Sequence, residues 1–132
     1  MTGAERIAAE RRRQVDLEGF DAAHDEKHSV DDLKRAAMCY TIAEGPDDPM
    51  PLEWPWGVQW WKPKDRARNL ERAGALYLAA ADATTARKDP LGIWSIEATV
   101  LRGHAADCGR LIDRLLMLSD RHNRTPDRGG PG

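Results

Sequence analysis

Between Leu91 and Arg121 the chain sets Ile93, Ile96, Val100, Leu101, Cys108, Leu111, Ile112, Leu115, Leu116 and Leu118 at helical spacing. A helix this apolar needs partners. Its apolar face is wider than one neighbouring helix covers, so it belongs either at the centre of a bundle or partly against another molecule. Gly103 and Gly109 fall inside it and weaken the case for one unbroken rod. No segment alternates apolar and polar residues for long enough to form a sheet. The expected fold is all-α, four helices in a single domain over 1–122. Residues 123–132, rich in Pro, Gly and Arg, read as a disordered tail.

Local signals place the other three helices. Thr2-Gly-Ala-Glu5 is a capping box, and the helix behind it runs to about Leu17, with Gly19 suited to end it. Ile7, Ala8 and Val15 mark its inner face, which is thin, so this helix is expected at the periphery. Ser29 caps a second helix with Asp31 and Asp32 in its first turn, and Val30, Leu33, Ala36, Ala37 and Tyr40 form its stripe. Gly45-Pro46 stops it. Asp65 caps a third helix with the stripe Ala67, Leu70, Gly74, Tyr77, Leu78 and Ala81, and Asp89-Pro90 separates it from the fourth.

Between the second and third helices lies a long loop, residues 45–64, carrying Trp54, Trp56, Trp60 and Trp61 among five prolines. A connection of this length in a small domain has a purpose. It runs into Lys62, Lys64, Arg66, Arg68 and Arg72, opposed only by Asp65 and Glu71. A helix N-terminus attracts anions through its free N–H groups, Arg and Lys hold phosphates, and indole faces stack on bases. These residue types together suit a nucleotide-like ligand. The competing reading is that the tryptophans plug a small helical core.

A second constellation is the linker Glu18-Gly-Phe-Asp-Ala-Ala-His-Asp-Glu-Lys-His28. His24 and His28, four apart, could grip a transition metal with Asp25 or Glu26 beside them. This would be the centre of a metal-dependent hydrolase. Against it, a zinc-protease helix has Glu where this chain has Asp25, and no third ligand is close in sequence. The plainer reading is an ordered, solvated linker whose acids pair with the cations of 62–72.

Walker loops, glycine-rich dinucleotide turns, cysteine pairs at zinc spacing, the Glu-Glu-x-x-Glu pattern of helical nucleotide pyrophosphatases and recognisable nucleophile settings are all missing. An enzyme is the less expected class, and no cofactor is implied. The 132 residues are 41% hydrophobic and 32% charged with net charge −2, which excludes a general nucleic-acid binder. Two isolated cysteines, Cys39 and Cys108, suit a reducing compartment. The N-terminus lacks a leader's apolar core, and no run approaches the roughly 18 apolar residues of a membrane span. The expectation is a cytoplasmic protein with no membrane contact.

Several pieces resemble a family of small phage and prophage proteins. They are Glu18-Gly19-Phe20, His24-Asp25-Glu26-Lys27-His28, the helix with Ala36-Ala37 and Tyr40, Trp54-Pro55-Trp56, and Trp61-Lys62-Pro63. The resemblance spans roughly residues 4–82. The chain departs from the family pattern at Phe20, usually Trp, and at Glu26, usually Asp. The helix order, with a Gly-aromatic step, an acidic pair, His and a Pro-containing loop, is also similar to the ryanodine-receptor-type repeat. These likenesses imply an accessory protein that acts on a host pathway, such as a defence, by binding a nucleotide-like molecule or a host protein. The ligand-binding residues expected are Trp54, Trp56, Trp60, Trp61, Lys62, Lys64, Arg66, His24, Asp25 and His28. A structural or interaction subunit is the third class. A homodimer through the fourth helix is expected because the first helix offers too little apolar surface to cover it.

Overall fold

The computed structural model describes residues 1–18, 29–85 and 92–129, and their side chains except at 17–18, 93–94 and 121–129. Among the described residues there are four α-helices and no strand: α1 (Gly3–Glu18), α2 (Val30–Ile42), α3 (Arg66–Thr85) and α4 (Ile93–Gly129), with a single 3-10 turn, Val58–Trp60, in the loop between α2 and α3. No helix of this set is long and apolar enough to cross a membrane.

The caps are where the sequence put them. Thr2 N–H donates to Glu5 Oε1 at 3.0 Å while Glu5 N–H donates to Thr2 Oγ1 at 3.1 Å, the reciprocal pair of a capping box. Ser29 Oγ accepts from Asp32 N–H at 3.0 Å, and Asp65 Oδ1 accepts from Arg68 N–H at 2.9 Å. Each satisfies a donor that a helix start leaves without an intrahelical partner.

The central helix is α3, not the more apolar α4. Twelve of its twenty residues are buried, and it packs against α1, α2 and α4. Its alanines, Ala73, Ala75, Ala79, Ala80 and Ala81, let three neighbours approach closely. Against it, α4 buries Ala98, Leu101, Ala105, Cys108 and Ile112, spaced alternately by three and four. Ile96, Val100, Leu111, Met117 and Leu118 stay exposed. This helix is unbroken at Gly103 and Gly109, and it continues past Arg121 through most of the stretch that composition read as a tail. Once a helix is nucleated, each further residue adds a hydrogen bond, so a weakly helical sequence can extend a strong one.

The inner face of α1 differs from the apolar reading. It is Gly3, Ile7, Glu10 and Gln14 that are buried, and Ala8 is exposed. Gly3 and Gly109 pass so closely that a Cβ on Gly3 would lie 2.0 Å from the Gly109 carbonyl oxygen. A Cβ on Gly74 would meet Ile7 Cδ1 at 2.5 Å. Gly109 is therefore a crossing point, not a break. Asp113 Oδ1 accepts from Gly3 N–H at 2.6 Å and ties the start of α1 to α4.

Glu10 anchors the rest of α1. Its carboxylate receives Arg13 Nε at 2.8 Å, an Arg68 guanidinium nitrogen at 2.8 Å and Gln14 Nε2 at 3.3 Å. Arg68 also reaches Glu71 at 3.2 Å, which pairs with Arg6 at 3.3 Å. Burial pushes the Glu10 carboxyl up. The Arg13 hydrogen bonds and the Arg68 charge outweigh that and hold it below the ordinary carboxylate value.

Candidate functional site

The loop is built around Tyr40. Its ring stacks on Trp61 at 5.0 Å between centroids, meets Trp54 edge-on at 5.5 Å, and carries the Arg72 guanidinium over its face at 5.7 Å. Trp54 in turn meets Trp56 at 5.3 Å and Trp61 at 5.0 Å, both edge-on. Trp54 is buried, while Trp56 and Trp61 are half-buried against the core. Aromatic pairs in these geometries add to the burial of their area. Both indole N–H groups at the centre are used within the loop: Trp54 Nε1 donates to Gly57 O at 3.2 Å, and Trp61 Nε1 to Asp48 O at 3.0 Å. These rings are the plug.

The end of the loop is fixed by polar side chains of α3. Asn69, fully buried, donates to Ala43 O at 3.2 Å and Lys64 O at 2.8 Å, and accepts from Lys64 N–H at 2.6 Å. Arg66 donates to the carbonyls of Thr41 and of Ala43, the latter at 2.9 Å. It thereby closes the C-terminus of α2, whose last carbonyls have no helical partner. Arg72 donates to Lys62 O at 2.8 Å and to the Tyr40 hydroxyl at 3.4 Å. Sequence reading missed Asn69 altogether. The signal was an Asn in the first turn of a helix, a residue that competes for backbone groups.

These bonds change the reading of the cationic cluster. Arg66, expected to hold an anion, holds α2. Arg68 is committed to Glu10 and Glu71, and Arg72 to Tyr40 and Lys62. The N-terminus of α3 already has a carboxylate, that of Asp65. Of these cations Arg68 is the one that pairs with acids among the described residues, Glu10 of α1 and Glu71 of α3, and Asp31 pairs within its own helix with Arg35 at 3.1 Å. Lys62 and Lys64 remain exposed. His24, Asp25 and His28 lie outside the described residues, within which no three His, Cys, Asp or Glu side chains group to suit a metal ion. Burial pushes the Cys39 thiol up to about 11, with the charge of Glu53 adding to it, and burial raises Cys108 too. Both stay protonated at neutral pH and are poor nucleophiles.

What the loop presents outward is Trp60. Its side chain follows the 3-10 turn, whose N–H of Trp60 donates to Gly57 O at 3.0 Å, and it is 60% exposed. Lys62 Nζ lies 6.0 Å from its ring centre. Leu52 at 98% and Val58 at 66% are exposed on the same loop. A separate cavity of about 110 Å³ lies where α4 passes the start of α3, lined by Arg66, Leu70, Leu111, Arg114, Leu115 and Leu118. Compared with known proteins, the chain matches no family model, no curated protein and no solved structure.

Proposed function

We propose that this chain is a non-enzymatic binding protein of the phage or prophage accessory kind. It acts in the cytoplasm of a bacterial host cell and docks on a host protein through the tip of its tryptophan loop. The observation that carries this reading is Trp60, left largely in water on a loop otherwise held fast. Covering its exposed part yields roughly 3 kcal/mol. The loop is already ordered by Trp54, Trp61, Asn69 and Arg66, so binding costs little further entropy. Exposed tryptophan on a rigid frame, with a cation beside it, is the composition of an interface anchor.

A protein partner suits this geometry better than a nucleotide. Three of the five cations are spent within the fold. The 110 Å³ cavity is well below the roughly 300 Å³ of a small-molecule site. The test is site-specific photocrosslinking in bacterial cells, with the photoreactive residue at Trp60 or at the exposed Arg102. A discrete crosslinked species from position 60 alone, lost in a Lys62→Glu background, supports the reading. Equal crosslinking from both positions sinks it. A thermal shift with nucleotides that disappears in Lys62→Glu, Lys64→Glu moves the reading to the small-molecule class.

A further inference from the structure

Three side chains of α3, Arg66, Asn69 and Arg72, are spaced by three and so form one row along the start of the helix. Each reaches the tryptophan loop or the residues that lead into it. Arg66 donates to the carbonyls of Thr41 and Ala43, where α2 ends, and Arg72 to the Lys62 carbonyl, where the loop ends. Asn69 stands between them, fully buried, and holds both ends at once. Its Nδ2 donates to Ala43 O at 3.2 Å and to Lys64 O at 2.8 Å, and its Oδ1 accepts from Lys64 N–H at 2.6 Å.

Between these ends the backbone of the loop supports itself weakly. Among the described residues its backbone–backbone hydrogen bonds are short turns: Asp48 N–H to Gly45 O at 3.3 Å, Trp54 N–H to Pro51 O at 3.1 Å, Trp60 N–H to Gly57 O at 3.0 Å and Trp61 N–H to Val58 O at 3.0 Å. A lone turn does not persist in water, because one bond does not offset the entropy of the dihedrals it fixes. The longer ties come from side chains. Trp61 Nε1 reaches back to Asp48 O, and the rings of Trp54 and Trp61 lean on Tyr40 and on each other. These ties join one half of the loop to the other, so neither half leaves alone.

We infer that Arg66, Asn69 and Arg72 form a clasp with Asn69 as its buried centre, and that releasing it lets the tryptophan loop open as one cooperative unit while the helices stay packed. The helices keep supports that the loop does not supply. Ile7 still sits over Gly74, Glu10 still holds Arg68, and the α4 seam of Leu101, Ala105, Cys108 and Ile112 stays buried. Segments that open below the free energy of global unfolding are the ones from which binding loops are drawn. The closed loop carries Trp60 on a fixed frame, so the clasp sets the fraction of molecules ready to dock, with Asn69 as a positioning residue. That last step rests on the docking reading; the clasp itself does not.

Native-state hydrogen exchange of the full chain, read by nuclear magnetic resonance, tests this. In the unaltered protein the amide protons of Trp54, Trp60, Trp61 and Lys64 and the indole protons of Trp54 and Trp61 should share one opening equilibrium. They should respond alike to low urea, while the buried α3 amides from Ala73 to Ala80 stay protected about tenfold more or better. Asn69→Ala should speed all the loop protons by a common factor of about tenfold or more and leave the α3 amides behind. A merely local role for Asn69 would move Lys64 alone. Arg72→Met keeps the stem over Tyr40 and removes the bond to Lys62 O, so it should speed the same protons by a smaller common factor; with the unaltered protein it decides the matter if Asn69→Ala does not fold. Loop protons with unrelated rates or urea responses overturn the inference. So do Trp54 and Trp60 protons unmoved in Asn69→Ala, or α3 amides that speed up equally. These measurements need no partner. A shared acceleration together with equal crosslinking from positions 60 and 102 would keep the clasp and sink the docking reading.

Discussion

Two surfaces cover α3 at its N-terminal half, and they do so by opposite chemistry. The tryptophan loop lays rings against Tyr40 and returns its polar groups to its own carbonyls. Among the described residues, helix α1 contributes the large apolar side chain of Ile7, set over Gly74, a close backbone approach of Gly3 to Gly109 and a buried carboxylate in a web of guanidinium groups. The loop gains its stability from area removed from water, which is insensitive to pH. The α1 interface depends on Glu10 remaining charged. A chain with few aromatic residues thus concentrates them where the backbone is irregular and uses ion pairs where it is helical.

The comparison is best broken at Trp54. Trp54→Ala should destabilise by about 3–5 kcal/mol, because a buried indole is lost and the other rings have nothing to lean on. Urea denaturation followed by circular dichroism measures it, and a loss below about 1 kcal/mol would show that the plug is dispensable. Next comes Glu10→Ala, expected at about 2–3 kcal/mol. Breaking a buried pair is costly, but Arg13 and Arg68 are each about a third exposed and can recover water. If Glu10→Leu proved as stable as wild type, the network would serve specificity and not stability.

Acid sharpens the contrast. Glu10 has its carboxyl value lowered on folding, so its contribution is fully present above the ordinary value of 4.5. It is lost as pH falls through the lowered folded value. Stability of the native chain should therefore drop below pH 4.5 more steeply than that of Glu10→Gln, as seen in melting temperatures taken at half-unit steps. Parallel curves would remove Glu10 from the account. The smallest effect belongs to Trp60→Ala, expected within about 0.5 kcal/mol of wild type, since that ring is mostly in water. A larger loss would make Trp60 part of the plug and weaken its role as an anchor.

Much of this molecule was legible because it is local. Thr2, Ser29 and Asp65 act as caps over three or four residues, a distance the sequence displays directly. The stripe of α2 is buried residue for residue as its spacing implies, and of the two readings of the tryptophans the plug holds for Trp54, Trp56 and Trp61. The polar face of α1 was not legible. A reading that counts apolar residues passes over Glu10 and Gln14, and only the arrival of Arg68 from α3 makes Glu10 burial tolerable.

The same division holds for the site. Composition alone made residues 62–72 a cationic cluster, because charge is a property of the chain. Tertiary structure decided that Arg66 would meet the carbonyls at the end of α2, that Arg72 would lie over Tyr40, and that of the four neighbouring tryptophans only Trp60 would face mostly outward. It also gave the centre of the bundle to α3, because an alanine-rich helix admits three neighbours where a leucine-rich one admits fewer. Sequence sets where helices start, stop and turn apolar, since those depend on near neighbours and on the period of the backbone. Which charge is spent, which ring is covered and which glycine is crowded depend on groups brought together from far along the chain, and only packing brings them there.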